Sequence, residues 1–509
     1  MSEKMLSAGK GALFLTALSA VSQLLGFGYR VVLSRLVGAE VMGLYQLIMP
    51  VYSVIMSLTA VGLVSATSNL TSQHLALGNR KAADQTISTC LKLFFLLLLP
   101  VGTAVIFGSD AISVYLLGDA RTQLGLVLLI PCVALTGIEN CHKHFFYGSG
   151  VVRPPAVVEL LEQFVRTFAV IALLVVFLPQ YPERVVGLIV AGMVICEVFS
   201  SCTLVILYRR RRGPLTGRGE AGRVRRRRIL SIALPVGLNA LLGNLLGAAN
   251  SALIPQKLVE GGLDRSAAVS QFGVVCGMTM PMLSLPIVFL GALNLVMVPR
   301  LARACALDRP AEARRLISQA ISAVSLLTLP CMAFMVVVGP DLGRAMFHQE
   351  GVGEYLMPLA CVMAMSCGTS VLASALNGVG RQRTVAAISL TGGAVQLAFT
   401  LALVPLPGVG MGGYVAGAVV STALELGLCL WQVVRATGLE VRPFQWMAAP
   451  GLSALLAGLT GNLLFRVLKD SGLAPVPAGL ATLAFALVLY LAALQAQGVK
   501  AREVLRLDW

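Results

Sequence analysis

The sequence predicts an all-α polytopic membrane protein of about 14 transmembrane helices, built as two six-helix lobes plus two appended helices. Three observations predict it. Of 509 residues, 57% are hydrophobic and only 12% charged, with a mean hydropathy of +0.84, whereas a soluble domain carries about 25% charge. Such a chain cannot cover a water-facing surface. Apolar stretches of about 20 residues, the length that crosses a bilayer, recur from one end of the chain to the other. Runs such as Leu93 to Leu99 lack the polar/apolar alternation of a membrane barrel strand, which leaves helices as the spanning element.

The spans fall at 11–33, 43–67, 88–108, 123–147, 154–178, 185–208, 229–254, 273–298, 314–339, 354–376, 384–404, 412–434, 446–465 and 476–495. The first follows only Lys4 and Lys10 and contains Arg30 instead of a small-residue cleavage site, so it reads as a retained helix. An even number of spans places both termini on one side, and the positive-inside rule selects the cytoplasm of a cell membrane. In that orientation the cytoplasmic segments hold 28 of the 39 Lys and Arg, the opposite side 8 and the spans 3, giving net charges of +20, −2 and −2. The overall charge of +16 therefore reports orientation. Ten arginines fall in the run Arg209 to Arg228, which has no aromatic to stack on bases. It reads as a linker held against anionic membrane lipids, with a protein-docking or substrate-recruiting role as the alternative, and not as a nucleic-acid site.

The basic run divides the chain into an N-lobe (1–208), a linker (209–228), a C-lobe (229–435), and two extra helices with a tail (436–509). At a shift of 230 residues Ile87-Ser88 lies over Ile317-Ser318, Leu99-Pro100 over Leu329-Pro330, and Gly148 and Gly150 over Gly378 and Gly380. Six spans is an even number, so both copies enter the membrane in the same sense and form a parallel repeat about an axis along the membrane normal. Two such bundles suit alternating access.

Ionisable side chains at membrane depth are costly and face a cavity or a partner. In the first span Ser19, Ser22, Gln23, Gly26 and Arg30 form one stripe on a helix face. The guanidinium suits a phosphate-bearing ligand; the bland alternative is an interfacial arginine reaching for water. In the seventh span Asn239 and Asn250 share a face with Gly243, which fits cavity lining or helix–helix hydrogen bonding. In the fifth, Glu159, Glu162 and Arg166 share a face, with Glu162 and Arg166 spaced for an i,i+4 ion pair. The sharper reading is a coupling site for a proton or sodium ion. Glu139, Glu197 and Glu425 are isolated acids in spans. Pro281 and Pro286 interrupt the eighth span, where each removes a helix hydrogen bond and permits a hinge.

Catalytic and cofactor motifs do not survive inspection. Cys141, His142 and His144 match no zinc spacing and read as loop residues, and the 11 cysteines include no C-x-x-C. Gly408-x-Gly410-x-x-Gly413 lies between two membrane helices with no strand before it. The expectation is a non-enzyme without metal or cofactor, coupled at most to a proton or sodium gradient or to the membrane potential.

The segment Gln23-Leu24-Leu25-Gly26-Phe27-Gly28-Tyr29-Arg30, continuing through Leu33-Ser34-Arg35-Leu36-Val37-Gly38-Ala39-Glu40 to Met42-Gly43-Leu44-Tyr45-Gln46, resembles the opening of the stage V sporulation protein B family. That family belongs to the polysaccharide transporters of the multidrug/oligosaccharidyl-lipid/polysaccharide (MOP) flippase superfamily. Ile254-Pro255-Gln256-Lys257-Leu258, Pro299-Arg300 and Gly378-Val379-Gly380-Arg381 are similar to its second half, and the whole is similar to lipid II flippases. The resemblance implies two lobes plus two helices and the movement of undecaprenyl-linked oligosaccharide or peptidoglycan precursor for the cell envelope or spore cortex. It implies a polyprenyl-diphosphate-linked sugar as ligand, Arg30 and Arg35 at its headgroup, a lipid-tail groove at the extra helices, and envelope or spore-cortex synthesis enzymes as partners. Where related sequences often carry an acid in the seventh span, this chain has Asn250. Two alternatives stand beside it. One is a cation-coupled multidrug exporter of the same superfamily resting on Glu139, Glu159, Glu162 and Glu197. The other is a non-transporting membrane scaffold for envelope or spore assembly.

Overall fold

The computed structural model describes residues 2–214, 216–284, 297, 298, 300–305 and 307–498, with side chains from residue 18 onward. Pro286, Pro299 and Ala306 lie outside them. Helix α1 (Ser2–Met56) is broken at Gly38, whose φ of 79° and ψ of 176° form a backbone conformation open essentially to glycine alone. This break separates the first span from the second. A π-helical turn, Ser57–Val61, leads into α2 (Gly62–Ala76). There follow α3 (Arg80–Phe107), α4 (Gln123–Gly148), α5 (Arg153–Phe177), α6 (Val185–Arg211) and α7 (Gly222–Glu260). Helix α8 (Arg265–Phe272) runs into a π-helical stretch, Gly273–Thr279, and a last turn, Met280–Leu283. Pro281 sits in that turn, directly after the irregular stretch, as a helix-breaking residue would. The remaining helices are α9 (Pro310–Phe347), α10 (Leu356–Gly378), α11 (Gln382–Leu403), α12 (Met411–Thr437), α13 (Ala449–Asp470) and α14 (Pro475–Ala496).

Among the described residues thirteen segments are long and apolar enough to cross a membrane, and the first of them, Leu18–Ala76, holds two of the expected spans on either side of Gly38. The chain is a multi-pass membrane protein, with no strand among the described residues. Side chains such as Leu96, Leu99, Phe107, Phe168 and Val488 are largely exposed, as lipid-facing positions should be. Two sequence expectations need correction. Cys141, His142 and His144 lie in the last turns of α4, not in a loop; Cys141 is buried, and a ring nitrogen of His142 is 2.7 Å from the Ile138 carbonyl. The arginine-rich linker is helical at both of its ends, since α6 ends at Arg211 and α7 begins at Gly222. Arginine is a good helix former, and only the stretch with Gly213, Pro214, Gly217 and Gly219 breaks the helix.

Contacts divide the chain into one unit of Met1–Gln256 with Arg265–Gly273 and another of Lys257–Asp264 with Val274–Trp509. The seventh span, α7, belongs to the first. There Asn244 donates to the Ser53 carbonyl at 3.3 Å and to the Ser57 hydroxyl at 2.5 Å, so an α7 amide is satisfied by the irregular turn between α1 and α2. Leu63, Leu70, Phe94, Val133 and Ile229 form a core of this unit. In the second unit Leu301, Ile317, Leu376 and Trp446 do the same, with the Trp446 indole donating to Ser318 at 2.9 Å. Helices α13 and α14 pack on α9, where the Tyr490 hydroxyl donates to the Leu326 carbonyl at 3.1 Å.

Candidate functional site

Helices α4, α5 and α6 bring three carboxyl groups together inside the first unit. Glycines permit the approach: a Cβ on Gly192 of α6 would lie 2.4 Å from a Val170 methyl on α5, and one on Gly187 would lie 2.4 Å from Leu124 on α4. Small residues at such crossings let membrane helices close up. Glu139, Glu162 and Glu197 are each at most 5% exposed. One turn along α5 from Glu162, Arg166 forms an ion pair with it, and the same guanidinium stands 3.8 Å from Glu197. Its Nε donates to the Cys196 sulfur at 3.4 Å. Ser200 donates to Glu139 at 2.9 Å, and Glu139 lies beside Glu197.

The cluster contains three acids and one cation, a net charge of −2 with all four groups ionised. Two buried polar atoms next to it have no hydrogen-bond partner among the described residues, Glu197 Oε2 and the Tyr29 hydroxyl, whose electrostatic neighbours include Arg166. Donor atoms of Glu162, Cys196 and Glu197 lie within 4.8 Å of one another, close enough to share a small cation, with Arg166 already holding part of that space.

The residues singled out in the sequence separate here. Glu162 and Arg166 are in the cluster, whereas Glu159 pairs with Lys143 at 2.8 Å and is more exposed. The first-span stripe also divides: Ser22 is buried, Gln23 and Ser19 are exposed, and Arg30 is half-buried. Arg30 lies within electrostatic reach of Tyr29 and Tyr45 and has no hydrogen-bonded or ion-paired partner among the described residues. Arg35 is exposed and engaged elsewhere. Asn239 is exposed and Asn250 half-buried with a partner. The α7 amide that bonds across to α1 is Asn244, which sequence reasoning passed over. Ser200, Cys196 and Tyr29 carried no signal in the sequence, because their part depends on helices meeting.

The 230-residue shift places Glu162 over Gly392 and Arg166 over Gln396. The second unit thus lacks the ion pair. Gln396 instead donates to the Tyr414 carbonyl at 3.1 Å and accepts from Ser421 at 3.1 Å. Glu425 of α12 lies where a Gly392 side chain would go, its Oε1 only 1.8 Å from that ideal Cβ. The same unit holds a groove of about 180 Å³ between α9, α13 and α14, walled by Leu326, Phe334, Ala457, Leu483, Ala486 and Leu487. Almost every group facing it is aliphatic or aromatic.

Comparison with known proteins agrees with this architecture. The chain is 25% identical over 425 residues to stage V sporulation protein B of Bacillus subtilis (strain 168), covering 82% of each chain. It is 21% identical over 464 residues to the lipid II flippase MurJ of the same organism, covering 83% of this chain and 80% of that one. A solved structure of lipid II flippase MurJ in an inward closed conformation superposes with a TM-score of 0.70, 11% identity, and coverage of 97% of this chain and 100% of the other. The fold is therefore that of this flippase structure. Residues 8–305 match the model of the polysaccharide biosynthesis proteins, and on that match, which spans more than half the chain, the protein belongs to the polysaccharide biosynthesis protein family.

Proposed function

We propose that the chain is an alternating-access flippase that carries a polyprenyl-diphosphate-linked oligosaccharide or peptidoglycan precursor to the outer leaflet, with both termini in the cytoplasm. The observation that carries this reading is Arg30, a cation in the first span with no ion-paired acid among the described residues. Such a group calls for a negative partner, and a diphosphate meets guanidinium bidentately. The apolar groove of α9, α13 and α14 offers hydrocarbon contact to a prenyl tail that never needs to leave lipid. The name of one of the two sequence relatives, a lipid II flippase, points to the same substrate class. The carboxyl cluster of α4, α5 and α6 supplies the coupling: its charge deficit is offset by a proton or sodium ion bound on one side and released on the other. In this reading no bond is made or broken, and the chain is not an enzyme.

A multidrug exporter built on Glu139, Glu159, Glu162 and Glu197 is less well supported. Glu159 is held by Lys143, and Arg166 stands against Glu162 and Glu197, where an organic cation would have to displace it. The test is translocation of lipid-linked precursor in proteoliposomes. Arg30→Ala is expected to reduce the rate at least about ten-fold, the scale of one lost charge-assisted contact, with Arg30→Lys retaining part of it. Unchanged translocation in both Arg30→Ala and Arg35→Ala at normal protein levels removes the headgroup site. Native mass spectrometry of the purified chain is expected to find a co-purified polyprenyl-diphosphate sugar.

A further inference from the structure

The loop between α6 and α7 is folded down onto the turn between α2 and α3. Asn79 donates to the Arg218 carbonyl at 2.7 Å, the Lys81 amide to the Thr216 carbonyl at 3.0 Å, and the Thr216 hydroxyl to the Gly78 carbonyl at 3.3 Å. Further along, the Glu220 amide donates to Gln85 at 3.1 Å, and Arg225 reaches Thr89 and Gln85 at 2.8 Å each. Beside these bonds is a pocket of about 620 Å³ whose lining includes Arg80, Arg211 and Arg212 together with Leu75, Phe145 and Phe146.

The charges of this pocket do not balance. Its one acid, Asp84, is already taken, since it accepts from the Tyr208 hydroxyl and pairs with Arg212 at 2.5 Å. Neither Arg80 nor Arg211 has a hydrogen-bond or ion-pair partner among the described residues. Two guanidinium groups are therefore uncompensated beside an apolar wall. Arg80 is exposed, and its guanidinium occupies space that a side chain on Gly213 would take: an ideal Cβ there would lie 2.3 Å from Arg80 Nη1.

We propose that this pocket binds the headgroup of an anionic phospholipid, with the phosphodiester on Arg80 and Arg211 and the start of the acyl chains against Leu75, Phe145 and Phe146. The pairing of anion and apolar wall selects an amphiphile over a soluble phosphate compound. The pocket lies at the start of α3 and the ends of α4 and α6, the face that the charge distribution assigns to the anionic leaflet. The site is independent of the transported substrate, so its failure leaves the flippase reading standing.

The experiment is native mass spectrometry of the full-length protein taken from nanodiscs of equal phosphatidylglycerol and phosphatidylcholine. The wild type is expected to retain phosphatidylglycerol at least about three-fold over phosphatidylcholine, as fixed basic pockets do. Arg80→Gln with Arg211→Gln is expected to bring that ratio close to one. Gly213→Ala keeps every charge but forces the Arg80 guanidinium aside, and is expected to lower the ratio at least about two-fold. Arg223→Gln with Arg227→Gln removes the same charge outside the pocket and is expected to leave the ratio unchanged. An unaltered ratio in both pocket variants overturns the proposal. So does an equal fall in the Arg223 and Arg227 pair, which makes the attraction diffuse, or displacement of the lipid by millimolar inorganic phosphate, which makes the ligand a soluble anion.

Discussion

Gly43 and Gly28 stand in the same N-terminal motif under opposite steric demands. A Cβ on Gly43 would meet the Val269 backbone carbonyl of α8 at 2.1 Å, whereas one on Gly28 would meet nothing within 4 Å. Backbone cannot rotate out of the way, so Gly43→Ala is expected to cost about 1–3 kcal/mol by overpacking, while Gly28→Ala stays within about 0.5 kcal/mol. Thermal unfolding of the two purified variants checks the contrast, and equal midpoints would contradict the α1–α8 contact. The same scale separates what could be read along the chain from what could not. The i,i+4 spacing of Glu162 and Arg166 announces their ion pair because helix geometry alone sets it. Nothing local announces that Glu139 and Glu197 join them, for those contacts belong to α4, α5 and α6 meeting. Breaking such a pair one-sidedly leaves buried charge behind: Arg166→Met is expected to destabilise by about 3–5 kcal/mol. Arg166→Met with Glu162→Gln should recover part of that loss, and a double-mutant cycle with no coupling between the two positions would deny the pair any energetic role.

At the scale of elements, hydropathy locates the spans well because each must fill the hydrocarbon thickness with apolar side chains. It fails where helices continue past the membrane. Arg209 to Arg211 extend α6 and Arg223 to Arg228 open α7, since leaving the bilayer ends the demand for apolar residues without ending the helix. Breaks within helices were legible unevenly. Pro281 marked an irregular region, whereas the break at Gly38 lies in a motif with several other glycines, and only its backbone angles set it apart. The groove of α9, α13 and α14 was expected from resemblance alone, because no residue pattern reveals a space between helices. Its proposed role makes a definite demand. Ala486→Phe puts a ring into a groove of about 180 Å³ without adding charge, and is expected to slow translocation of a long-chain polyprenyl substrate more than that of a short-chain analogue. Equal slowing of both would make the groove a packing feature of the appended helices.

For the whole molecule the decisive quantity is a charge balance at membrane depth. The excess of positive charge over the chain, +16, is read chiefly as a signal of orientation. In the proposed cycle the coupling rests on Glu139, Glu162, Glu197 and Arg166, three acids and one cation set inside the first unit, which would carry a net charge of −2 with all four ionised. At the 230-residue shift the second unit presents Gly392 and Gln396, with Glu425 nearby, so the expected repeat does not carry the Glu162–Arg166 pair at its matching positions. If the cluster binds a cation during each cycle, the rate of flipping must respond to the gradient of that cation. It must also respond to voltage, because one elementary charge moved through 100 mV is worth about 2.3 kcal/mol. Glu197→Gln keeps the size of the side chain and removes one ionisable group from the cluster. In proteoliposomes with an imposed proton or sodium gradient, the wild type is expected to accelerate. Glu197→Gln is expected to run at the same rate with and without the gradient. Arg30→Ala should behave in the reverse way, slow in every condition but still gradient-sensitive, since it acts on the substrate's anion and not on the coupling ion. Gradient sensitivity that survives Glu197→Gln and Glu139→Gln would place the coupling site elsewhere, and Glu425 would then be the next carboxyl to replace.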